Sequence, residues 1–189
     1  MPKFALPVLA LTFLIGVTEA QSAVVYTVDL RGANENPANP STAFGNALLT
    51  LDGDFLTVDL SFADLTGGPA AAAHIHCCVP RPGNTGIAIG FPGFPNTTSD
   101  TYTHTFDLTN SAVYTSTFLG VGTAADAEAA LIAGLASGNA YVNIHNAGFG
   151  NGEIRGFPVL VPEPGNVLLL ATGLLAVAFR VGAPRRKRN

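Results

Sequence analysis

Through the middle of the chain, hydrophobic and polar residues mostly alternate with a period of two. The pattern is clearest in "VVYTVDL" (residues 24–30) and in "FLTVDLSF" (residues 55–62). Such alternation is typical of a β-strand with one buried and one solvated face. Between "GNALLTL" and the second run lie Asp52 and Gly53, a pair that tolerates the positive φ angles of a tight turn. The pattern therefore predicts a β-hairpin over residues 45–62.

Five further short segments have strand character and are separated by Gly, Pro and Asn residues. They are "AAAAHIH", "GIAIGF", "TYTHTFDL", "AYVNIHN" and "GEIRGFP". Many short strands at this spacing favour a mainly β fold, and specifically a β-sandwich. The stretch "VPRPGNTGIAIGFPGFPNTTSD", residues 79–100, holds four of the thirteen prolines. Because proline donates no ladder hydrogen bond, much of this stretch is predicted to be a surface loop with a binding or covering role.

One segment, residues 123–138, has helical rather than strand periodicity. Thr123 is placed to cap the helix, and Gly138 is placed to end it. Leu131, Ile132 and Leu135 recur at helical spacing. The sequence thus predicts one short helix packed on the sheets of a single domain.

The N-terminus has the layout of a secretory signal peptide over residues 1–20. Lys3 precedes an apolar run from Phe4 to Val17, and small residues follow up to Ala20. That run of 14 residues is interrupted by Pro7 and is shorter than the roughly 20 apolar residues that span a bilayer. We expect a signal peptidase to cleave after Ala20, with Ala23 as the alternative site.

The C-terminus, residues 161–189, combines a short motif, an apolar run and a basic tail. The apolar run, Val167–Phe179, would rise about 20 Å as a helix, so it would anchor the chain in a membrane only with help from flanking residues. A basic end would remain on the cytoplasmic side. The motif is Pro162, Glu163 and Pro164, and the tail is Arg185, Arg186, Lys187 and Arg188.

These three parts, in this order, resemble the PEP-CTERM sorting signal of Gram-negative bacteria. The resemblance implies transient membrane anchoring through the C-terminal helix. It also implies cleavage near the motif by an exosortase, and release to the cell surface or extracellular matrix. A plain C-terminal membrane anchor is the alternative interpretation.

Once both ends are set aside, the charge of the chain is strongly negative. Residues 21–162 contain 11 acidic residues and only three basic ones, Arg31, Arg81 and Arg155, and no lysine. Such a surface repels phosphate backbones and anionic headgroups, which argues against nucleic acid as a partner. An exported, loop-rich domain is the class that fits.

The histidines are the strongest candidates for chemistry. His74 and His76 lie two residues apart, so on a strand both would project from one face with Cα atoms about 6.8 Å apart. His145 in "NIHN" could supply a third ligand and His104 a fourth, and neutral imidazoles suit copper or zinc. The alternative is that Ile75 is the core residue while the histidines face water or bond to the backbone.

Cys77 and Cys78 directly follow this pair. In an oxidising compartment they would form a disulfide between neighbours, which would pin the exit of the strand into the proline-rich loop. The alternative is that both are soft thiolate ligands beside the two imidazoles.

The segment "GNGEIRG" places Glu153 and Arg155 on one strand face, where a mutual ion pair is expected. The chain contains no Gly-x-Ser-x-Gly elbow and no phosphate-binding loop, and no Ser, His and Asp order can be assembled. We therefore expect a protein that is not an enzyme.

Several of these blocks together resemble the CHRD domain, over about residues 24–158. The blocks are "AAAAHIHCC", "GNTGIAIGF", "LIAGLASGNAYVNIHN" and "GEIRGF". The resemblance implies an immunoglobulin-like Greek-key β-sandwich with a distant likeness to copper/zinc superoxide dismutase. His74 and His76 resemble the His-X-His copper pair of that enzyme in style.

Two functional hypotheses follow. The first is an exported, non-enzymatic CHRD protein of the cell envelope or matrix, which binds a component that the sequence does not identify. The second is a copper- or zinc-binding or redox protein that uses His74, His76 and His145.

Overall fold

The computed structural model describes residues 22–120 and 122–162, and these residues are mainly β, as predicted. The strands are β1 (Val24–Arg31), β2 (Phe44–Asp52), β3 (Phe55–Ala63), β4 (Ala70–His76), β5 (Ile87–Gly90), β6 (Asp100–Asp107), β7 (Tyr141–Asn146), β8 (Ile154–Gly156) and β9 (Val159–Leu160). The helices are α1 (Ser116–Leu119) and α2 (Ala124–Ser137), with single 3₁₀ turns at Gly32–Asn34 and Ser111–Val113.

The strands form one curled antiparallel sheet in the order β5-β4-β7-β8-β1-β2-β3-β6, with β9 paired to β1. The curl brings its two edges together. Phe91, just after β5, stacks on Tyr102 of β6 with ring centroids 5.2 Å apart. Ile89 of β5 also forms an isolated bridge with Tyr114, which follows β6. The more specific immunoglobulin-like Greek-key arrangement stays a prediction.

The inner face of the sheet holds the hydrophobic core. In β3 the alternation of the sequence is reproduced directly, because Leu56, Val58 and Leu60 are buried while Asp59 between them is exposed. The predicted hairpin is confirmed as β2 and β3, which pair in continuous register around Gly53 with a φ of 55°.

The predicted helix is confirmed as α2. Thr123 and Asp126 form a reciprocal capping box at its start, and Gly138 adopts the left-handed conformation at its end. Leu131 and Leu135 are buried against the sheet. The four-residue helix α1 and the short strand β9 were not predicted, because neither has enough residues to show a period.

The outer face of β4 and β7 carries a second, polar layer. The two strands are antiparallel neighbours, with Ala72 opposite His145 and His74 opposite Asn143. Ile75 and Ile144 alternate with these residues and point into the core. The histidine of one strand therefore lies beside the histidine pair of the other.

The predicted signal peptide and most of the predicted sorting signal lie outside the described residues, including Glu163, Pro164, the apolar run 167–179 and the basic tail 185–188. Pro162 is described and is exposed just after β9. Between residues 22 and 162, Val121 aside, no helix combines the length and the apolar character needed to cross a membrane.

Candidate metal centre

Three histidines converge on the outer face of the sheet. One ring nitrogen from each of His74, His76 and His145 lies within 4.8 Å of the other two. Nitrogens bound to a single ion at about 2.0–2.1 Å lie at most about 4.2 Å apart. A nitrogen pair at 4.8 Å would have to close by at least about 0.6 Å to share one ion, and by about 1.4 Å to reach the roughly 3.4 Å separation of tetrahedral ligands. We call these three residues the histidine triad.

The backbone orients two of the three rings. His76 Nδ1 lies 2.8 Å from the carbonyl oxygen of Thr85, and His145 Nδ1 lies 2.9 Å from that of Gly150. Each Nδ1 must donate its proton to a carbonyl, which leaves the lone pair on Nε2. Metal-binding histidines are typically held in the same way, by a carbonyl at the opposite ring nitrogen.

The nitrogens that face one another have no hydrogen-bond partner. His74 Nδ1, His76 Nε2 and His145 Nε2 are all buried and unpaired among the described residues. A buried polar atom without a partner usually costs about 1–3 kcal/mol. Three such atoms in one place are available to a metal ion or to a hydrogen-bond donor such as water.

The environment keeps the triad uncharged. Burial, together with the positive charge that His145 and then His76 would carry, lowers the pKa of His74 to about 4. Burial also lowers the pKa of His76 and of His145, although their carbonyl contacts oppose the shift. The neutral form is the one that binds metals, so the triad is available for ligation at neutral pH.

Aromatic and cationic groups hold His76 from the side. Its ring stacks on Tyr141, with centroids 4.6 Å apart and planes 5° from parallel. The Arg155 guanidinium lies 4.7 Å from the Tyr141 ring. The Tyr141 hydroxyl in turn accepts a hydrogen bond of 3.3 Å from the Thr85 backbone nitrogen. The ring of His76 is thus fixed on two sides before any ion binds.

The expected ion pair between Glu153 and Arg155 is wrong. The Glu153 carboxylate accepts hydrogen bonds from Ser41, Thr66 and Asn146, so it extends toward other loops. Arg155 instead donates to backbone and side-chain oxygens of residues 34 and 82–84. Both side chains are fully buried, and each bonds to a different loop.

Arg155 also has an acidic neighbour that the sequence did not indicate. Its Nε lies 3.8 Å from Glu35 Oε2, and Glu35 is itself buried. Glu35 follows the 3₁₀ turn after β1, far from the histidines in sequence. No sequence motif connects Glu35 with Arg155, because only the fold brings the two residues together.

Cys77 and Cys78 form a disulfide. Their sulfurs contact the carbonyl oxygen of Ala130 on α2 at 3.8 and 3.4 Å. The pair therefore lies between the end of β4 and the helix, at the exit into the proline-rich loop.

His104 lies apart from the triad. It is on β6 and packs on Phe106, with ring centroids 4.5 Å apart. A surface cavity of about 680 Å³ is lined by both His74 and His104. His74 can therefore be reached from this cavity.

The loops that complete the site were not identified from the sequence as site residues. Thr85 belongs to the proline-rich stretch, which supports the interpretation of that stretch as a cover, and Gly150 belongs to the β7–β8 loop. Both contribute a backbone carbonyl. Every residue has this group, so the amino-acid sequence cannot identify which residues will provide it. Asn143 is the exception, because it lies two residues before His145 and strand alternation places both on the same face.

Comparison with known proteins identifies the family. No curated protein and no solved structure matches this chain. The sequence model of the CHRD domain matches residues 26–157, which is most of the chain and contains every residue of the triad and its supports. The chain belongs to the CHRD domain family.

Proposed function

We propose that this CHRD domain binds one transition-metal ion through the histidine triad, with copper preferred over zinc. The observation that carries the proposal is the convergence of three buried, unpaired imidazole nitrogens from two neighbouring strands. Copper and zinc are both well suited to imidazole ligands, and the intrinsic order of affinities places Cu²⁺ above Zn²⁺.

The arrangement of the rings supports this proposal over a purely structural polar layer. In a structural polar layer, buried nitrogens have protein or ordered-water partners. Here two rings are held through their outer nitrogens by carbonyls, while their inner nitrogens are directed at one another. The lone pairs of His76 Nε2 and His145 Nε2 are therefore buried without a protein donor among the described residues, and a cation would satisfy both.

The test is a titration of the metal-free chain with Cu²⁺ and Zn²⁺. We expect one ion per chain and tighter binding of copper. His145→Ala or His74→Ala should weaken copper binding by more than about 100-fold, since loss of an outer support alone costs about 10–100-fold. His104→Ala is the matched control, because His104 lies outside the triad. Equal copper affinity in all four proteins would refute the proposal.

We further propose that the protein is exported and acts by binding rather than by catalysis at the envelope or matrix. The signal-like N-terminus and the PEP-CTERM-like C-terminus support processing by signal peptidase and exosortase. The Cys77–Cys78 disulfide supports the same compartment, since disulfides persist in oxidising environments. The envelope or matrix component that it would bind is not identified by these features.

A further inference from the structure

Two more buried oxygen atoms have no hydrogen-bond partner among the described residues, and one of them belongs to the same strand face as His145. They are Glu35 Oε1 and Asn143 Oδ1. Asn143 is directly opposite His74 across the β4–β7 pairing and lies two residues before His145 on β7. Both oxygens accept hydrogen bonds, so the pocket contains acceptors in excess of donors.

The chain is shaped to admit these two side chains together. Gly152 has a φ of 119°, a conformation essentially restricted to glycine. A Cβ atom there would overlap Glu35 Oε1 and would lie 2.6 Å from Asn143 Nδ2. The absence of a side chain at residue 152 therefore makes the space in which the carboxyl and the amide meet.

Asn143 connects Glu35 to the triad. Burial raises the pKa of Glu35 to about 7, whereas Arg155 and then Asn143 lower it. The geometry agrees, because Asn143 Nδ2 and Glu35 Oε1 border the same space at Gly152, while Asn143 pairs with His74 and shares a strand face with His145. The carboxyl and the amide thus form one wall of the triad pocket, which we call the acceptor wall.

We propose that the acceptor wall of Glu35 and Asn143 selects the exogenous ligand of the ion, favouring a neutral hydrogen-bond donor such as water over an anion. The inference rests on the proposed metal site. Three protein ligands leave a coordination position for an external molecule. A molecule with O–H groups can satisfy the two unpaired oxygens, whereas an anion without protons cannot.

Charge strengthens the same preference. A bound cation favours the ionised form of a nearby carboxyl group, so Glu35 carries a negative charge in the loaded protein. Arg155 offsets part of this charge, but at 3.8 Å the pair is long, and the guanidinium also bonds to four oxygen atoms elsewhere. An anion at the ion therefore meets a repulsive wall.

Azide binding to the copper-loaded chain tests this inference. The binding is measured through the azide-to-copper charge-transfer absorption. Copper loading is measured first in every protein. We expect Glu35→Gln to bind azide about tenfold more tightly, because it replaces a charged acceptor with a neutral donor of the same shape. Asn143→Asp should bind azide about tenfold more weakly, because it adds a second charge.

Glu128→Gln is the matched control for the loss of one negative charge. Glu128 is on α2, beside Asp54 and Asp107 and away from the triad. Its azide affinity should equal that of the wild type.

Three results would overturn the inference. One is unchanged azide affinity in both wall variants. Another is a Glu35→Gln variant that is folded by circular dichroism but no longer loads copper, which would make Glu35 a ligand. The third is an equal effect from Glu128→Gln. If the wild-type chain itself fails to load copper, the proposed function fails first and this inference fails with it, so the two failures are distinguishable.

Discussion

The residues of the histidine triad have buried ring nitrogens without hydrogen-bond partners in the described part of the chain, and a bound ion would satisfy them. The triad nitrogens are buried, neutral and unpaired, and the rings are oriented by Thr85 and Gly150 whether or not a ligand is present. Metal sites commonly bind with high affinity when their ligands are arranged in advance, because less ordering entropy is lost on binding. The same features make the metal-free protein sensitive to acid.

We predict that the metal-free chain loses stability as the pH falls from about 6.5 toward about 4. The unfolded chain binds protons on its histidines near the ordinary pKa of 6.5, whereas His74 in the fold resists protonation down to about 4. Its contribution is therefore fully present above about pH 6.5 and is lost below it. His76 and His145 act in the same direction.

Glu35 acts in the opposite direction. Its pKa is raised from 4.5 to about 7, so between these values the folded state holds a proton that the unfolded chain releases. Urea denaturation across this range should show a shallower acid loss in His74→Gln and a steeper one in Glu35→Gln. A stability of the wild type that is constant or rises on acidification would contradict this interpretation.

At the scale of elements, local periodicity gave a reliable prediction of strands and of one helix. The hairpin at Gly53 and the capped helix α2 were both read from residues that are near in sequence. The pairing of β4 with β7 could not be read this way, because it joins segments about 70 residues apart. The histidine triad forms only through that pairing, so the sequence alone placed His74 and His76 together and left His145 as a candidate third member.

The contact between α2 and the disulfide yields a prediction about packing. Gly134 is buried in α2, and a Cβ atom there would overlap Cys77 Sγ and lie 2.9 Å from Cys78 Sγ. On an exposed helix, Gly→Ala would stabilise by about 1 kcal/mol. Here we expect Gly134→Ala to lower the free energy of unfolding by about 1–3 kcal/mol, the usual cost of overpacking.

Chemical denaturation of the oxidised protein measures this effect. Ala133→Gly, at the exposed neighbouring position, is the control and should cost only the propensity difference of about 1 kcal/mol. A Gly134→Ala variant that is more stable than the wild type would show that the helix does not rest closely on the disulfide.

At the scale of the whole molecule, composition and the two terminal segments are the main basis for predicting partners and localisation. The acidic body argues against nucleic acid as a partner and the terminal segments favour export, and both stay predictions. The mainly β class followed from the strand pattern and is confirmed. The ion pair of Glu153 and Arg155 was wrong because residues on one strand face need not bond to each other when nearby loops offer stronger partners.

Deletion of residues 163–189 tests the sorting proposal in the producing cells. The deletion leaves β9 paired with β1, and it leaves the Val161 nitrogen bonded to the Val25 carbonyl, so the fold should persist. We expect the exported protein to lose its membrane-associated precursor and its retention at the surface. Unchanged location and surface retention of the truncated chain, measured by cell fractionation, would argue against a sorting role for this segment.

The account depends most on whether the triad holds one ion. X-ray absorption at the copper edge of the copper-loaded chain measures this directly. We predict scattering from three imidazole nitrogens at about 2.0 Å per copper, falling to two in His145→Ala. A spectrum that lacks imidazole scattering, or that is the same in wild type and His145→Ala, would contradict the central claim.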